Sequence, residues 1–201
     1  EQKFRDAVDS VHGAFGVLDG SPPGILDPQG TLTTDDFVLA AAELARLERL
    51  GDEFKKELAK SGMGDKVSIE MDERGLVLRF ADSVLFDLGS AEVRSEGFDV
   101  LTKVGDLLRT TANPVRVEGH TDNWSIQTLK FPSNWELSTG RAASVVRFFM
   151  DHCEFDGDRL QAAGYSEYHP LESNDTAEGR QRNRRVDVVI LRESLAGAEP
   201  G

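Results

Sequence analysis

A single cysteine, Cys153, stands in the 201 residues, so the chain can close no disulfide on itself and can build no multi-cysteine zinc site. Basic residues are the minority charge, 23 lysines and arginines against 36 aspartates and glutamates, for a formal net charge of -13. Broad attraction to nucleic acid needs the opposite balance, so any anion site here is local. Long apolar runs are missing too. No stretch approaches the roughly 18 uncharged apolar residues of a membrane span, and Glu1-Gln2-Lys3-Phe4-Arg5-Asp6 is too charged for a signal-peptide core. The chain as it stands is therefore expected to be soluble. No methionine opens it, from which we expect a processed or truncated piece of something longer. A Gly-x-Ser-x-Gly elbow is also absent, and Cys153, in His152-Cys153-Glu154, lacks an evident base and orienter. It reads as a small buried hydrophobe rather than a nucleophile.

What is present is enough for one sizeable core: 39% of the residues are hydrophobic, which suits one compact domain with an appended segment. Phe4, Val8, Val11 and Phe15 recur at helical spacing before Gly20-Ser21-Pro22-Pro23-Gly24 breaks the pattern, a short amphipathic helix and then a linker. Thr33-Thr34-Asp35-Asp36 begins a long helix running to about Lys60 and stopping at Ser61-Gly62, with Phe37, Ala41, Leu44, Leu47, Phe54 and Leu58 as its apolar stripe. That helix packs on its own domain, or serves as a spacer or dimer helix.

After Gly64 the texture changes. Val67–Met71 and Leu76–Phe80 flank the turn Asp72-Glu73-Arg74-Gly75 and predict a hairpin. A helix from Ser95 to Arg109 is expected to bury Phe98, Leu101, Val104 and Leu108. The strand Val115–Gly119 follows Asn113-Pro114. Ser133 and Glu136 form a capping box for a second helix that turns Leu137, Val145, Phe148 and Phe149 inward. Arg185–Leu191, apolar on both faces from Val188, suits a strand inside a sheet. Strands alternating with helices over residues 67 to 192 imply an α/β two-layer sandwich with a mixed sheet, and the Gly-, Ala- and Pro-containing tail from Ser194 is expected to be disordered.

The chemistry concentrates around Asp122 and Arg141. Asp122 follows the end of a buried strand, where α/β scaffolds expose ligand-binding groups, although it also suits an Asx turn with Asn123. Arg141 lies about two turns into the Ser133 helix, off the Val145 face, and reads alone as a solvated charge. Together a carboxylate that accepts from an ammonium and a guanidinium that grips a carboxylate match a zwitterionic amino-acid head group, and the nearby helix N-terminus adds donors. Of Arg180, Arg182, Arg184 and Arg185, some are expected to pair with the acidic surface, with Asn183 and Arg184 bordering the same pocket. Glu118, His120 and Asp122 alternate along one strand but are too spread for a tetrahedral metal site, so no metal or cofactor is expected. His120 is read instead as ordering the following loop by hydrogen bonding.

Gly119-His120-Thr121-Asp122, Asn134-x-x-Leu137-Ser138-x-x-Arg141-Ala142, Gly164-Tyr165, Gly179-Arg180 and Asn183-Arg184-Arg185-Val186 together resemble the OmpA C-terminal-like, peptidoglycan-binding domain family over residues 67 to 192. The resemblance implies that Asp122 and Arg141 hold the diaminopimelate of a cell-wall peptide stem, with Thr121, Asn134, Leu137 and Arg184 lining or supporting them, and that the domain is not an enzyme. The longer loop Trp124–Pro132 and Phe131-Pro132-Ser133-Asn134-Trp135-Glu136-Leu137-Ser138 look like the MotB-type flagellar stator branch, not the porin or Pal-type lipoprotein branches. That implies the periplasmic portion of a single-pass inner-membrane protein in cell motility. Its partners would be peptidoglycan, a second copy of the chain, a MotA-type channel subunit and the flagellar P-ring protein.

On that resemblance the chain divides into a plug and linker at 1–32, following a transmembrane helix outside the sequence, a linker helix at 33–62, the OmpA-like domain at 63–193 and a tail at 194–201. Two other readings stay open: an outer-membrane or lipoprotein wall anchor without a motor role, and a metal-dependent wall hydrolase using Glu118, His120 and Asp122. The loop residues Trp124, Ile126, Leu129 and Phe131 can cover the pocket, line it or meet a partner.

Overall fold

A computed structural model describes residues 34–192. The expected amphipathic helix near the start, the plug and linker at 1–32 and the tail at 194–201 lie outside the described residues. Helix α1, Thr34–Lys60, uses only part of its predicted stripe: Leu47, Phe54 and Leu58 are buried, Leu44 is half-buried and Ala41 is exposed. Each fully buried side chain of that size contributes about 1.5–3 kcal/mol. The helix stops where the sequence predicts, with Gly62 left-handed at φ 68° and Met63 N–H donating to the Leu58 carbonyl at 2.8 Å. Among the described residues no helix is long and apolar enough to cross a membrane.

Strand β1 (Val67–Met71) and strand β2 (Gly75–Ala81) form the predicted hairpin, with Val67 opposite Phe80 and Met71 opposite Leu76. Gly75 is required at its turn, since at φ 142° an added Cβ would lie 2.1 Å from the Ile190 carbonyl oxygen. A one-turn helix α2 (Asp82–Leu85) follows, then helix α3 (Ser95–Leu108), strand β3 (Val115–His120), helix α4 (Asn134–Cys153), strand β4 (Leu160–Gly164), helix α5 (Ala177–Asn183) and strand β5 (Arg185–Leu191). The strand order is β1-β2-β5-β3-β4, antiparallel except for the β3–β4 pair, which helix α4 connects as a crossover. The sheet is thus mixed and the architecture α/β, as the alternation of elements implies.

Strand side chains alternate between faces. Leu76, Leu78, Phe80, Val115, Val117, Val186, Val188 and Ile190 point into one core with Val104, Leu108, Val145 and Phe149 of α3 and α4. Strand β5 is buried at every position because it is central, flanked on both edges by β2 and β3. Two expectations change. Phe98 is 38% exposed, resting edge-on against Phe148, because the inner stripe of α3 runs through Gly97, Val100, Leu101, Val104 and Leu108 instead. Three short elements, strand β4 (Leu-Gln-Ala-Ala-Gly) and helices α2 and α5, had no periodic signal strong enough to be predicted. Cys153 is buried against Gly105, and burial pushes its thiol up, as expected of a packing residue.

Candidate functional site

The site gathers at one end of the sheet, where β2 and β3 finish and β5 begins. Gly119 makes this possible: an added Cβ would lie 2.1 Å from the Ser138 carbonyl oxygen, so only glycine lets the first turns of α4 press on the end of β3. Helix α4 starts as predicted, with Ser133 N–H donating to Glu136 Oε2 at 2.8 Å and Trp135 N–H donating to Ser133 Oγ at 3.2 Å. Ser138 Oγ accepts from Ser166 N–H at 3.1 Å, and Thr121 N–H donates to the Ser166 carbonyl at 2.9 Å, which ties the loop after β3 to the loop after β4.

Four charged side chains meet here. Asp122 is ion-paired with Arg184, and Arg141 Nη1 lies 3.0 Å from Asp82 Oδ1. Arg141 is not the solvated charge that its sequence position suggests. It is 2% exposed, donates from Nε to the Ser90 carbonyl at 2.8 Å and sits over the Phe86 ring at 5.3 Å. Helix α4 carries it inward because Arg141 lies four residues from both Leu137 and Val145 and so shares their buried face, which corrects the expectation that it stood off the Val145 face. Asp122 begins the predicted Asx turn as well, accepting from Trp124 N–H at 3.1 Å on Oδ1, while Oδ2 takes Arg184. The turn and the charge pair thus coexist in one side chain.

The two pairs sense one another. Burial pushes the Asp82 carboxyl up, with Arg141 and Arg184 opposing that and Asp122 adding to it. Burial pulls the Arg141 guanidinium down, Asp82 and Asp122 raise it, and Arg184 lowers it. Two acids and two bases therefore share one partly dry site of zero net charge. Among them Arg184 is the most accessible, its side chain 29% exposed against 6% for Asp122.

The other predicted site residues divide into supports. Asn134 holds the loop: its Oδ1 accepts from Ile126 N–H at 3.3 Å, and its Nδ2 donates to the carbonyls of Asp122 at 3.2 Å and Trp124 at 3.1 Å and to Glu167 Oε2 at 3.1 Å. Leu137 packs with Ala91 and Phe131, and Ile126 rests on them, a small apolar cluster beneath the loop. Thr121 is buried with its Oγ1 unpartnered. The loop splits its apolar residues, Phe131 buried below and Trp124 and Leu129 exposed above, with Arg180 over the Trp124 ring at 4.9 Å. Asn183 does not border the cluster directly. It pins residues 171–174 by accepting from Leu171 N–H at 2.8 Å and donating to the Glu172 carbonyl at 2.8 Å. Asp82, Ser90 and Phe86 were missed in the sequence. Asp82 carries the same signal as Asp122, an acid directly after a strand.

A second charged cluster lies on the opposite face of the sheet. Arg79, Asp187 and Glu118 are register partners across β2, β5 and β3. Arg79 Nε donates to Asp187 Oδ1 at 2.9 Å, Arg185 Nε to Asp187 Oδ2 at 3.2 Å, and Arg74 pairs with Glu118. His120 does not order the following loop by hydrogen bonds. Both ring nitrogens are buried without a close hydrogen bond, Nε2 lying 3.9 Å from Glu118 Oε2, and the ring stacks on Tyr165 at 5.2 Å. Ligand atoms of Glu118, His120 and Asp187 come within 4.8 Å of one another. Asp122, the third member expected from strand alternation, has left the strand and faces the other cluster. Three guanidinium groups already neutralise these carboxylates, which sets the local field against a divalent cation. A cavity of about 620 Å³ opens here, lined by Arg74, Glu118, His120, Tyr165 and His169, and a second of about 780 Å³ lies beside Arg79 and Arg182. Neither of these cavities contains Asp122 or Arg141.

Comparison with known proteins bears on this arrangement. Residues 85–184 match the OmpA family. The uncharacterized protein YtxE of Bacillus subtilis is 35% identical over 98% of this chain and 79% of its own length, and Motility protein B of the same organism is 36% identical over 78% of this chain and 60% of its own. Among solved structures, a putative MotB-like protein from Desulfovibrio vulgaris superposes with a TM-score of 0.72 at 29% identity, covering 77% of this chain and 99% of that one. The cell wall anchor of the Pseudomonas aeruginosa T6SS gives 0.64 at 36% identity, covering 70% and 97%. The chain is thus a member of the OmpA family, with homology to Motility protein B.

Proposed function

We propose that this chain is a non-catalytic anchor that binds the peptide stem of peptidoglycan through Asp122 and Arg141, with Arg184, Thr121, Asn134 and Leu137 shaping the site. The carrying observation is the buried cluster of two carboxylates and two guanidiniums at a strand-end surface, whose charges match an amine and a carboxylate on one residue such as diaminopimelate. Family membership supports the reading, as do a relative named for motility and a solved structure titled a cell wall anchor. In its specific form the anchor fixes a flagellar stator ion channel to the wall from the periplasmic side of the inner membrane, as a homodimer with a MotA-type subunit and with the P-ring protein nearby. Residues 1–32 then act as plug and linker. Many weak sites acting together resist a load that one would not, because linked sites gain from effective concentration.

A second reading, a wall anchor with no motor role, is favoured by the 36% identity to the T6SS anchor. The gene segment ahead of Glu1 separates them: an apolar span bearing an acid supports the stator, a lipobox or barrel the alternative. Binding itself is tested by co-sedimentation with isolated sacculi, comparing the parent with Asp122→Asn and Arg141→Ala. Binding by the parent with loss in both variants supports the reading. Equal sedimentation of all three overturns the assignment of the site.

A further inference from the structure

We infer that Asp82 is the selectivity element of this site, a fixed negative charge that restricts it to ligands presenting an amine together with their carboxylate. The inference rests on the wall-binding reading and deepens it. Asp82 joins the cluster through both arginines: it begins α2 directly after β2, its N–H donates to the Arg184 carbonyl at 3.0 Å, and its Oδ1 lies 3.0 Å from Arg141 Nη1. That oxygen is buried and its charge is matched by the Arg141 guanidinium, so the two groups act as one ion pair.

The consequence follows from counting charges. Asp82 and Asp122 against Arg141 and Arg184 sum to zero, in a site where only Arg184 has appreciable contact with water. An incoming carboxylate must share Arg141, whose Nε is committed to the Ser90 carbonyl and whose Nη1 faces Asp82. Alone, it leaves the cluster with one uncompensated negative charge at low dielectric, where like charges repel strongly. A ligand that also carries an ammonium restores neutrality. Rejection of the wrong ligand is thus built in as repulsion, not as missing contacts. Asp82 acts here as a positioning and selectivity residue for the guanidinium of Arg141.

Calorimetric titration of the full chain with meso-diaminopimelate and with pimelate, the same dicarboxylate without its amines, tests this. We expect the parent to prefer diaminopimelate, and Asp82→Asn, which keeps the volume and removes the charge, to narrow that preference about tenfold by gaining affinity for pimelate. A thermal melt of the variant verifies its fold. Should it not fold, Arg184→Gln gives the mirror test: it leaves the cluster negative and is expected to widen the preference. An unchanged ratio in the folded variant overturns the role of Asp82 alone. Parent chain that binds neither probe overturns the stem-binding reading and this inference with it.

Discussion

The two charged clusters of this domain use the same residue types and do opposite things with them. On the open face of the sheet, Arg79, Asp187 and Glu118 stand in register on three adjacent strands, and each carboxylate is matched by a guanidinium from the sheet or its turns. At the end of the sheet, Asp82, Asp122, Arg141 and Arg184 come from a one-turn helix, a loop, a helix and the approach to a strand. Register fixes the first cluster as tightly as the ladder itself. The second is assembled from loops and helix ends that lie far apart in the chain, with no ladder to fix it. The same residue types are thus fixed by strand register in one cluster and by loop and helix positions in the other.

The comparison is broken most severely at Asp187. Asp187→Ala leaves Arg79 and Arg185 facing each other without their shared carboxylate, and we expect a loss of ~3–5 kcal/mol in urea unfolding, with sacculus binding retained by the folded fraction. Arg141→Ala should do the reverse in function, reducing sacculus binding by about 100-fold, while costing about 3 kcal/mol in the same unfolding assay because Asp82 is left buried and unpaired. Asn134→Ala removes the loop's anchor: about 1–2 kcal/mol of stability and faster amide exchange at Trp124 and Ile126 are expected, with exchange at the Arg79–Asp187 rows unchanged.

The smallest effects are in pH, and the clusters have opposite signs. Burial holds the His120 imidazole below its ordinary 6.5, so the unfolded chain binds that proton more readily. The stability contributed by the neutral ring is full above 6.5 and is lost as pH falls through the lower folded value. Burial raises the Asp82 carboxyl above its ordinary 3.8, so its contribution is present below 3.8 and lost as pH rises through the higher folded value. Each slope is at most about 1.4 kcal/mol per pH unit. Urea midpoints across pH should show the first slope vanish in His120→Gln and the second in Asp82→Asn.

Much of this was legible beforehand, for reasons that lie within short windows of chain. Asp72-Glu73-Arg74-Gly75 specifies its turn because only glycine tolerates the final position. Ser133 with Glu136 specifies a helix start because the two side chains satisfy each other's backbone donors. The apolar run of β5 from Val188 suits a strand inside the sheet, and β2 and β3 flank it on both edges. Asp122 and Arg141 stand out because their charges match a zwitterion, and Arg184 as a neighbour of the same place, and the structure brings the three together. Phe98 was misplaced because two stripes of α3 fit the same period, and Asp82 was passed over because an acid after a strand is ordinary until its partner is known.

The sequence by itself determined the elements, their order, the hairpin and the acidic and basic residues available at the strand ends, since these depend on interactions a few residues long. Only the tertiary structure decided which charge meets which. Asp122 joins Arg184 across 62 positions, Arg141 reaches Ser90 across 51, and Glu118 and Asp187 face the opposite side from the residues a turn away. Such pairings are set by strand order and by how close Gly119 lets α4 approach the sheet, and no local pattern encodes either distance.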